Sequence, residues 1–431
     1  MERYNEYKDS GVQWLGEIPS HWEVCKVKHH YKMITGFTPS TGKSKYYSNN
    51  SDNTWVTIAD MKTKFISESS SHISDLYIKN FKPTIVPKGS LLYSFKLSVG
   101  QVAFADKDLY TNEAIASFEN NENVCLDFLF YSASLCIIKN ANTNIYGAFI
   151  LNQELIKNAT IVYPPFAEQK AIANYLDSAT SKIDEAIAQK QKMIDLLNER
   201  KQIIINNAVT KGLNPDAPMK DSGVDWIGEI PEHWIITKLK HLVEITDGTH
   251  DTPRYVDPSS NTYPLVTSRC IVNGVIDLSL ANHITEQDYN YIATRSYVRR
   301  NDVIMPMIGT VGNPAIVDFE DSIAIKNVAL FRTNGDINIA KFLKYLLNSS
   351  VVKEQFAMYN KGGVQNFVSQ EILKNLAIIV PDNITDIVGF LEREIAKIET
   401  PIIAHNQQIS LLQERKQIII NDVVTGKVKV S

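Results

Sequence analysis

A chain of 431 residues with 44% hydrophobic and 21% charged side chains is long enough for two or three separately cored domains and too apolar for wholesale disorder. Its net charge of −4 argues against a simply basic nucleic-acid binder and leaves room only for a local basic patch. The polar start MERYNEYKDSG is not expected to act as a secretory signal, and no apolar run reaches membrane-spanning length. Cys25, Cys125, Cys136 and Cys270 show no CxxC or metal-ligand spacing, which fits a reducing cytoplasm.

Residues 8–22, KDSGVQWLGEIPSHW, return at 220–234 as KDSGVDWIGEIPEHW, with twelve of fifteen positions identical. Two Trp, a Pro, a His and two Gly in register exceed chance, so the chain is read first as an internal repeat. From 26 to 48 there are five lysines, two histidines and no acid, the local basic patch that the net charge allows. The alternating runs WVTIAD and IVPKGSLLYSF predict short strands, and DFLFYSAS predicts a helical piece. NQELIKNATIVYP then closes a mixed, strand-rich α+β domain at residue 164.

From Phe166 to Lys211 neither Pro nor Gly interrupts, and Pro164–Pro165 stands where a helix start tolerates proline. Ile172, Leu176, Ile183, Ile187, Ile194, Leu197 and Ile204 recur at steps filled by Ala179 and extended by Ala208, the stripe of an amphipathic or coiled-coil helix. Such a helix reaches roughly 65 Å at about 1.5 Å per residue and needs a partner. Gly212 ends it, and LNPDAPMKD (213–221) reads as a linker.

The second half repeats this order. ITDG (245–248) answers ITG (34–36), each followed by Thr–Pro, and NDVIMPMIGTVG (301–312) aligns with GSLLYSFKLSVG (89–100). YPLVTSRCIV and AIKNVALFRT predict strands, AKFLKYLLNSS a helix, and SQEILKNLAIIVP (369–381) matches 152–164. Between matched blocks the copies diverge: 61–75 has no likeness to 269–283. The second stripe, Ile387, Leu391, Ile398, Ile402, Ile409, Leu412 and Ile419, lies at a constant offset of 215, and LLQERKQIIINDVVT (411–425) nearly repeats 196–210. Pro401 has no counterpart at Ala186; costing about 3 kcal/mol in a straight helix, it predicts a kink or break near Thr400. Gly426 ends the helix. The predicted segments are 1–164, 165–212, 213–381 and 382–431.

Catalytic signatures are missing. There is no GxxxxGK(S/T) loop, no GxGxxG after a strand, no HExxH, no Cys/His cluster and no GxSxG. Tyr163–Pro164–Pro165–Phe166 resembles the Asn-Pro-Pro-Tyr motif of amino-methyltransferases, but Tyr replaces the residue that would hold the amine, so it is read as a helix start. Asp382 with Glu392 and Glu394 lacks the Glu-x-Lys of a nuclease metal site and is read as a solvated face. His21 and His233 recur inside the opening motif and are read as structural hydrogen-bonders. No metal site is assigned.

The duplicated KDSGV-W-GEIP-HW openings, the YPPFAEQKAIANYLDSATSKIDEAI block (163–187) and the duplicated ERKQIIIN helices resemble the specificity subunit of type I DNA restriction–modification systems over nearly the whole chain. The second copy departs from the pattern, with VPDNITDIVGFLE in place of YPPFAEQKAIANYLD, so any contact of Glu168–Gln169 belongs to one side. The resemblance implies an α+β fold in which two strand-rich target-recognition domains are joined by two long antiparallel coiled-coil-like helices, a tandem repeat with pseudo-twofold symmetry. It implies a non-catalytic, cytoplasmic reader of double-stranded DNA whose unlike modules recognise an asymmetric bipartite site. Helix length would set the gap, four residues adding roughly 6 Å. The partners implied are two methyltransferase subunits and two restriction subunits, with no membrane; methyl donor, ATP and magnesium belong to them and no cofactor to this chain. Two other readings stay open: a duplicated coiled-coil scaffold that binds no nucleic acid, and a relative of a single-chain restriction–methylation enzyme without its catalytic domain.

Base edges call for Arg, Lys, Asn and Gln, phosphates for Lys, Arg and hydroxyls. In the first module the candidates are Thr38, Lys43, Lys45, Tyr46 and Tyr47, with Lys62, Lys64 and Lys96. In the second they are Thr249, His250, Thr252, Arg254 and Tyr255, with Arg269 and Lys361. Trp14, Trp22, Trp226 and Trp234 are expected to pack each module against the helices or a methyltransferase subunit, ordinary core packing being the alternative.

Overall fold

In the computed structural model, which describes residues 2–48, 51–144, 147–309, 311–359 and 367–430, the four segments gather into two compact units. The first comprises residues 1–190 and 407–431, the second 191–406, so the division falls inside both long helices.

The first unit opens with a hairpin in which Tyr7–Asp9 pairs antiparallel with Glu17–Pro19. Its turn is closed locally, the Asp9 and Ser10 side chains accepting from the amides of Gly11 and Val12. The body is a five-stranded sheet in the order Met33–Thr35, Ile115–Phe118, Leu91–Ser94, Val102–Ala105, Phe65–Ile66; only the last pairing is parallel. Its central strands are buried at every position, the pattern of a sheet covered on both faces. The helix Leu126–Cys136 supplies one cover. A short parallel pair, Trp55–Val56 with Tyr110–Thr111, brings a second crossing of the chain to the end of the sheet where the Met33–Thr35 strand finishes.

The second unit repeats the plan. Met219–Asp221 pairs with Glu229–Pro231, and a four-stranded antiparallel sheet runs Glu244–Asp247, Val328–Arg332, Val303–Pro306, Ala315–Ile316. The parallel pair has grown into a three-stranded sheet, Asn282–Thr285, Thr262–Val266, Ala324–Ile325. An eleven-residue helix, Glu286–Ser296, is capped by Thr285, whose hydroxyl accepts from the Asp288 amide.

The long helices are Phe166–Thr210 and Ile384–Val424. In the first unit Lys416 reaches both oxygens of Asp184 at 2.7 Å and Lys190 donates to Gln408 at 2.6 Å, so numbers rise along one helix as they fall along the other, the antiparallel order. Lys201 meets Glu399 at 2.6 Å in the second unit. Of the predicted stripe, Ile172, Leu176, Ile183, Ile194, Ile387, Leu391 and Ile398 are buried, and Ile187, Leu197, Ile204, Ile402, Ile409, Leu412 and Ile419 are half-buried. Full burial of one such side chain contributes roughly 1.5–3 kcal/mol. No described helix is long and apolar enough to cross a membrane.

Two expectations are narrowed. The helix continues through Pro401 without a break. The ring costs it one backbone hydrogen bond, but Thr400 donates its hydroxyl to the Ala396 carbonyl, and the Lys201–Glu399 and Lys397–Glu394 pairs hold the turns before it. Trp22 and Trp234 are buried within the cores of their units, so neither offers a face to a separate subunit; Trp14 is half-buried and Trp226 exposed.

Candidate nucleic-acid interface

In each unit the first strand of the main sheet ends at a glycine that no other residue could replace. A Cβ on Gly36 would collide with the backbone carbonyls of Thr111 and Asn112. One on Gly248 would strike the Ile325 carbonyl and stand 2.9 Å from the Lys326 nitrogen. The chain therefore presses against the parallel strand pair, and the loop that follows is pinned at its root. Phe37 donates its amide to Thr111 O at 2.9 Å, and Thr249 does the same to Ile325 O at 3.0 Å.

In the first unit the loop past Gly36 is held from beneath. Trp55 Nε1 donates to Phe37 O at 3.0 Å, and Tyr47 donates its hydroxyl to Pro39 O at 2.8 Å. Tyr46 is buried against Tyr77 and Phe81. Tyr46 and Tyr47, predicted as DNA contacts, therefore anchor the loop from inside. Lys43 and Lys45 remain exposed, each ammonium 5.5–5.7 Å from the Tyr46 ring centre. Thr38 donates to the carboxylate of Glu113, whose other oxygen lies 4.0 Å from Lys96. The structure thus joins Thr38, Lys43, Lys45 and Lys96 in one loop cluster.

Lys62 and Lys64 lie elsewhere, in a groove of about 1290 Å³ lined also by Tyr131, Asp177, Asp184 and Lys416. Lys64 pairs with Asp177 on the first long helix and sits 5.0 Å from the Phe130 ring centre, while Tyr131 donates to the same carboxylate. Burial and that carboxylate raise the Tyr131 phenol. Lys64 thus fastens the sheet domain to the helix and stands apart from the loop cluster with which sequence proximity grouped it.

In the second unit the loop carries an ionic cluster. Asp247, buried, pairs with Arg295 from the end of the Glu286–Ser296 helix. His250 is flanked by acceptors at both ring nitrogens: Asn327 Oδ1 is 2.9 Å from Nδ1 and Asp247 Oδ2 is 2.9 Å from Nε2. Those two hydrogen bonds hold its pKa above the ordinary imidazole value, against partial burial and the Arg295 charge. Lys326 donates to Thr252 across the loop, and Thr249 bridges to Lys326 through the backbone. Arg254 and Tyr255, both exposed, line a shallow hollow with His283. Arg269 is exposed but folded back, donating to Leu280 O at 2.8 Å. Lys361 falls outside the described residues.

Four residues of this framework escaped the sequence reading: Glu113, Asp247, Arg295 and Asn327. Glu113 and Asn327 occupy matching places just before the strands Ile115–Phe118 and Val328–Arg332, in TNEA and IKNV. Extending the repeat across those strands could have found them. Arg295 carries no signal in the repeat, since the helix that delivers it, Glu286–Ser296, has eleven residues and its counterpart Asp75–Phe81 in the first unit has only seven.

The opening motif is fastened differently in the two units. In the first, Glu168 accepts from Tyr4, from His21 at 2.9 Å and from Trp22 Nε1 at 3.1 Å. Gln169 is fully buried, donating to Pro164 O at 2.7 Å. In the second, His233 faces Asp382 at 3.7 Å.

The model of the type I restriction modification DNA specificity domain matches this chain twice, at residues 19–195 and 231–417. Over 439 residues it is 24% identical to the type I restriction enzyme MjaIX specificity subunit of Methanocaldococcus jannaschii, covering 99% of this chain and 97% of that one. The MjaVIII specificity subunit of the same organism is 25% identical over 445 residues, with 100% and 98% covered. Among solved structures, a chain from work on complex assembly and conformational transition of the type I R-M system superposes with a TM-score of 0.67 at 14% identity, covering 95% of this chain and 99% of that one.

Proposed function

Because the chain belongs to the family of type I restriction–modification DNA specificity proteins, we propose that it is the sequence-reading subunit of such a complex. It would read two unlike half-sites and bring methyltransferase and restriction subunits to them. The observation that carries this reading is the pair of glycine-rooted loops. Gly36 and Gly248 present them from the corresponding strand end of the main sheet of each unit, yet one offers Thr38, Lys43 and Lys45 and the other His250, Thr252 and Arg254. A shared frame with unlike donors is what a bipartite, asymmetric site requires.

A second feature supports two copies of one partner. Leu196, Arg200 and Ile203 form an exposed stripe on the second unit, and the identical Leu411, Arg415 and Ile418 form one on the first. Folding does not ask for exposed leucine and isoleucine at matching places, whereas a partner binding twice does. Two methyltransferase subunits fit that count. Methyl transfer and ATP-driven cleavage, with their methyl donor, ATP and magnesium, are assigned to the partner subunits, and the complex to the cytoplasm.

The test is an adenine-methylation map of DNA from cells expressing this chain with its neighbouring methyltransferase, against cells lacking this chain. A methylated motif with two unlike half-sites and a fixed gap is expected. Methylation of the same motif without this chain would overturn the reading.

A further inference from the structure

Seven described residues other than glycine have left-handed backbone. Five are asparagines, which tolerate that region, and Lys82 follows the last turn of the helix Asp75–Phe81. The seventh is Leu97, at φ 59. A leucine is disfavoured there, and nothing in the fold compensates it: the side chain is 95% exposed. The second unit shows what the turn itself asks for. In the aligned stretches SFKLSVG and PMIGTVG, Leu97 falls opposite Gly309, at φ 76, while Gly100 and Gly312 agree at φ 95 and 94.

The base of the Leu97 turn is rigid. Ser94 accepts from the Gly100 amide at 2.9 Å, its hydroxyl accepts from the Gln101 amide at 3.0 Å and donates to Ser98 O, and Ser134 donates to Gly100 O at 2.7 Å. Phe95 is buried beneath. Its neighbour Lys96 faces Glu113, which holds Thr38, so the tip stands beside the reading loop and away from any apolar neighbour.

We propose that Leu97 is a wedge: its isobutyl group enters the duplex bound by the first unit and packs into a base step, partly unstacking it. Apolar side chains inserted between base pairs act in this way, favouring steps that kink easily. Resting on the DNA-reader assignment, the inference adds to it a one-sided deformation. Gly309 has no side chain to insert, so only the half-site read by the first unit contains a step selected for flexibility, at a position that no donor need touch.

The experiment uses the full chain assembled with its methyltransferase subunits, on duplexes carrying the mapped motif with 2-aminopurine at successive positions of each half-site. In the native complex one position other than the methylated adenine brightens, in one half-site only. Leu97→Gly and Leu97→Ala abolish that signal and weaken binding about tenfold. Leu97→Gly folds at least as stably as the native chain, which separates lost binding from lost structure. A native complex that binds its motif with no such position, or variants that keep the signal, overturn the wedge and leave the reader standing. Variants that assemble with the methyltransferase more weakly than the native chain, yet bind DNA normally once assembled, overturn it too and make Leu97 a protein contact. A native complex with no motif removes the reader assignment and the wedge with it.

Discussion

Gly426 lies against the indole of Trp22: a Cβ built on it would stand 3.0 Å from the ring and 2.7 Å from Pro19 Cγ. Gly212 meets Trp234 in the same way, at 3.1 Å, with Pro231 at 3.7 Å. Both glycines have positive φ, 75 and 77. Each long helix therefore ends by laying a bare backbone turn on the Trp and Pro of an opening motif, which explains why GEIP-HW is written twice. Gly426→Ala should destabilise by about 1–2 kcal/mol from the left-handed backbone and by a further ~1–3 kcal/mol from overpacking. Gly212→Ala, with looser contacts, should lose less. Urea titration of each variant followed by tryptophan fluorescence measures both, and equal losses would show that the tighter Pro19 contact carries no cost.

Glu168 gathers three donors, and its helix start is not repeated in the second unit. Glu168→Gln should cost about 1–3 kcal/mol, because an amide replaces one acceptor oxygen and leaves the Trp22 indole N–H or the Tyr4 hydroxyl without its partner. Asp382→Asn should cost less than about 1 kcal/mol, since the His233 pair is long and exposed. The contrast is read by thermal unfolding of both variants side by side. A loss at Asp382 matching that at Glu168 would mean that the two motifs are fastened alike after all.

How much of this was legible in the sequence depends on where each signal resides. The helices were legible because their stripe is periodic and local: Ile172 to Ile204 and Ile387 to Ile419 lie inward as the spacing requires. The continuity at Pro401 was not, because propensity is local while the Lys201–Glu399 pair that braces the turn before it is tertiary. Gly36 and Gly248 could be aligned, but their necessity lies in carbonyls 75 or more residues away in the chain. Lys64 looked like Lys43 in sequence. Only Asp177, on another element, distinguishes a fastening lysine from a free one.

That distinction is measurable in salt. Lys43→Gln and Lys45→Gln should each weaken DNA binding by the assembled complex and reduce the slope of log affinity against log salt by about 1, the signature of one lost phosphate contact. Lys64→Met should leave the slope unchanged while lowering the unfolding temperature, since its ammonium is committed to Asp177 and its stem to Phe130. A shallower slope for Lys64→Met, or none of the expected change for Lys43 and Lys45, would reverse the two assignments.

His250 should make the second loop sensitive to pH, in one direction. Its folded pKa is raised, chiefly by the hydrogen bonds to Asn327 and Asp247, so the stabilisation it provides is fully present below the unfolded imidazole value near ~6.5 and is lost as pH rises through the higher folded value. The groups facing it are Asp247, which favours the imidazolium, and Arg295, which opposes it. Above the folded pKa one ring nitrogen no longer donates. The loop then loses its tie to either Asn327 or Asp247, and a positive charge beside the candidate phosphate path disappears. An NMR titration should give His250 a pKa above that of an exposed histidine, and Asn327→Ala should bring it down. DNA binding should weaken as pH rises through the raised folded pKa of His250 in the native complex and lose that dependence in His250→Gln. A His250→Gln complex that kept the full dependence would place the titrating group elsewhere in the complex.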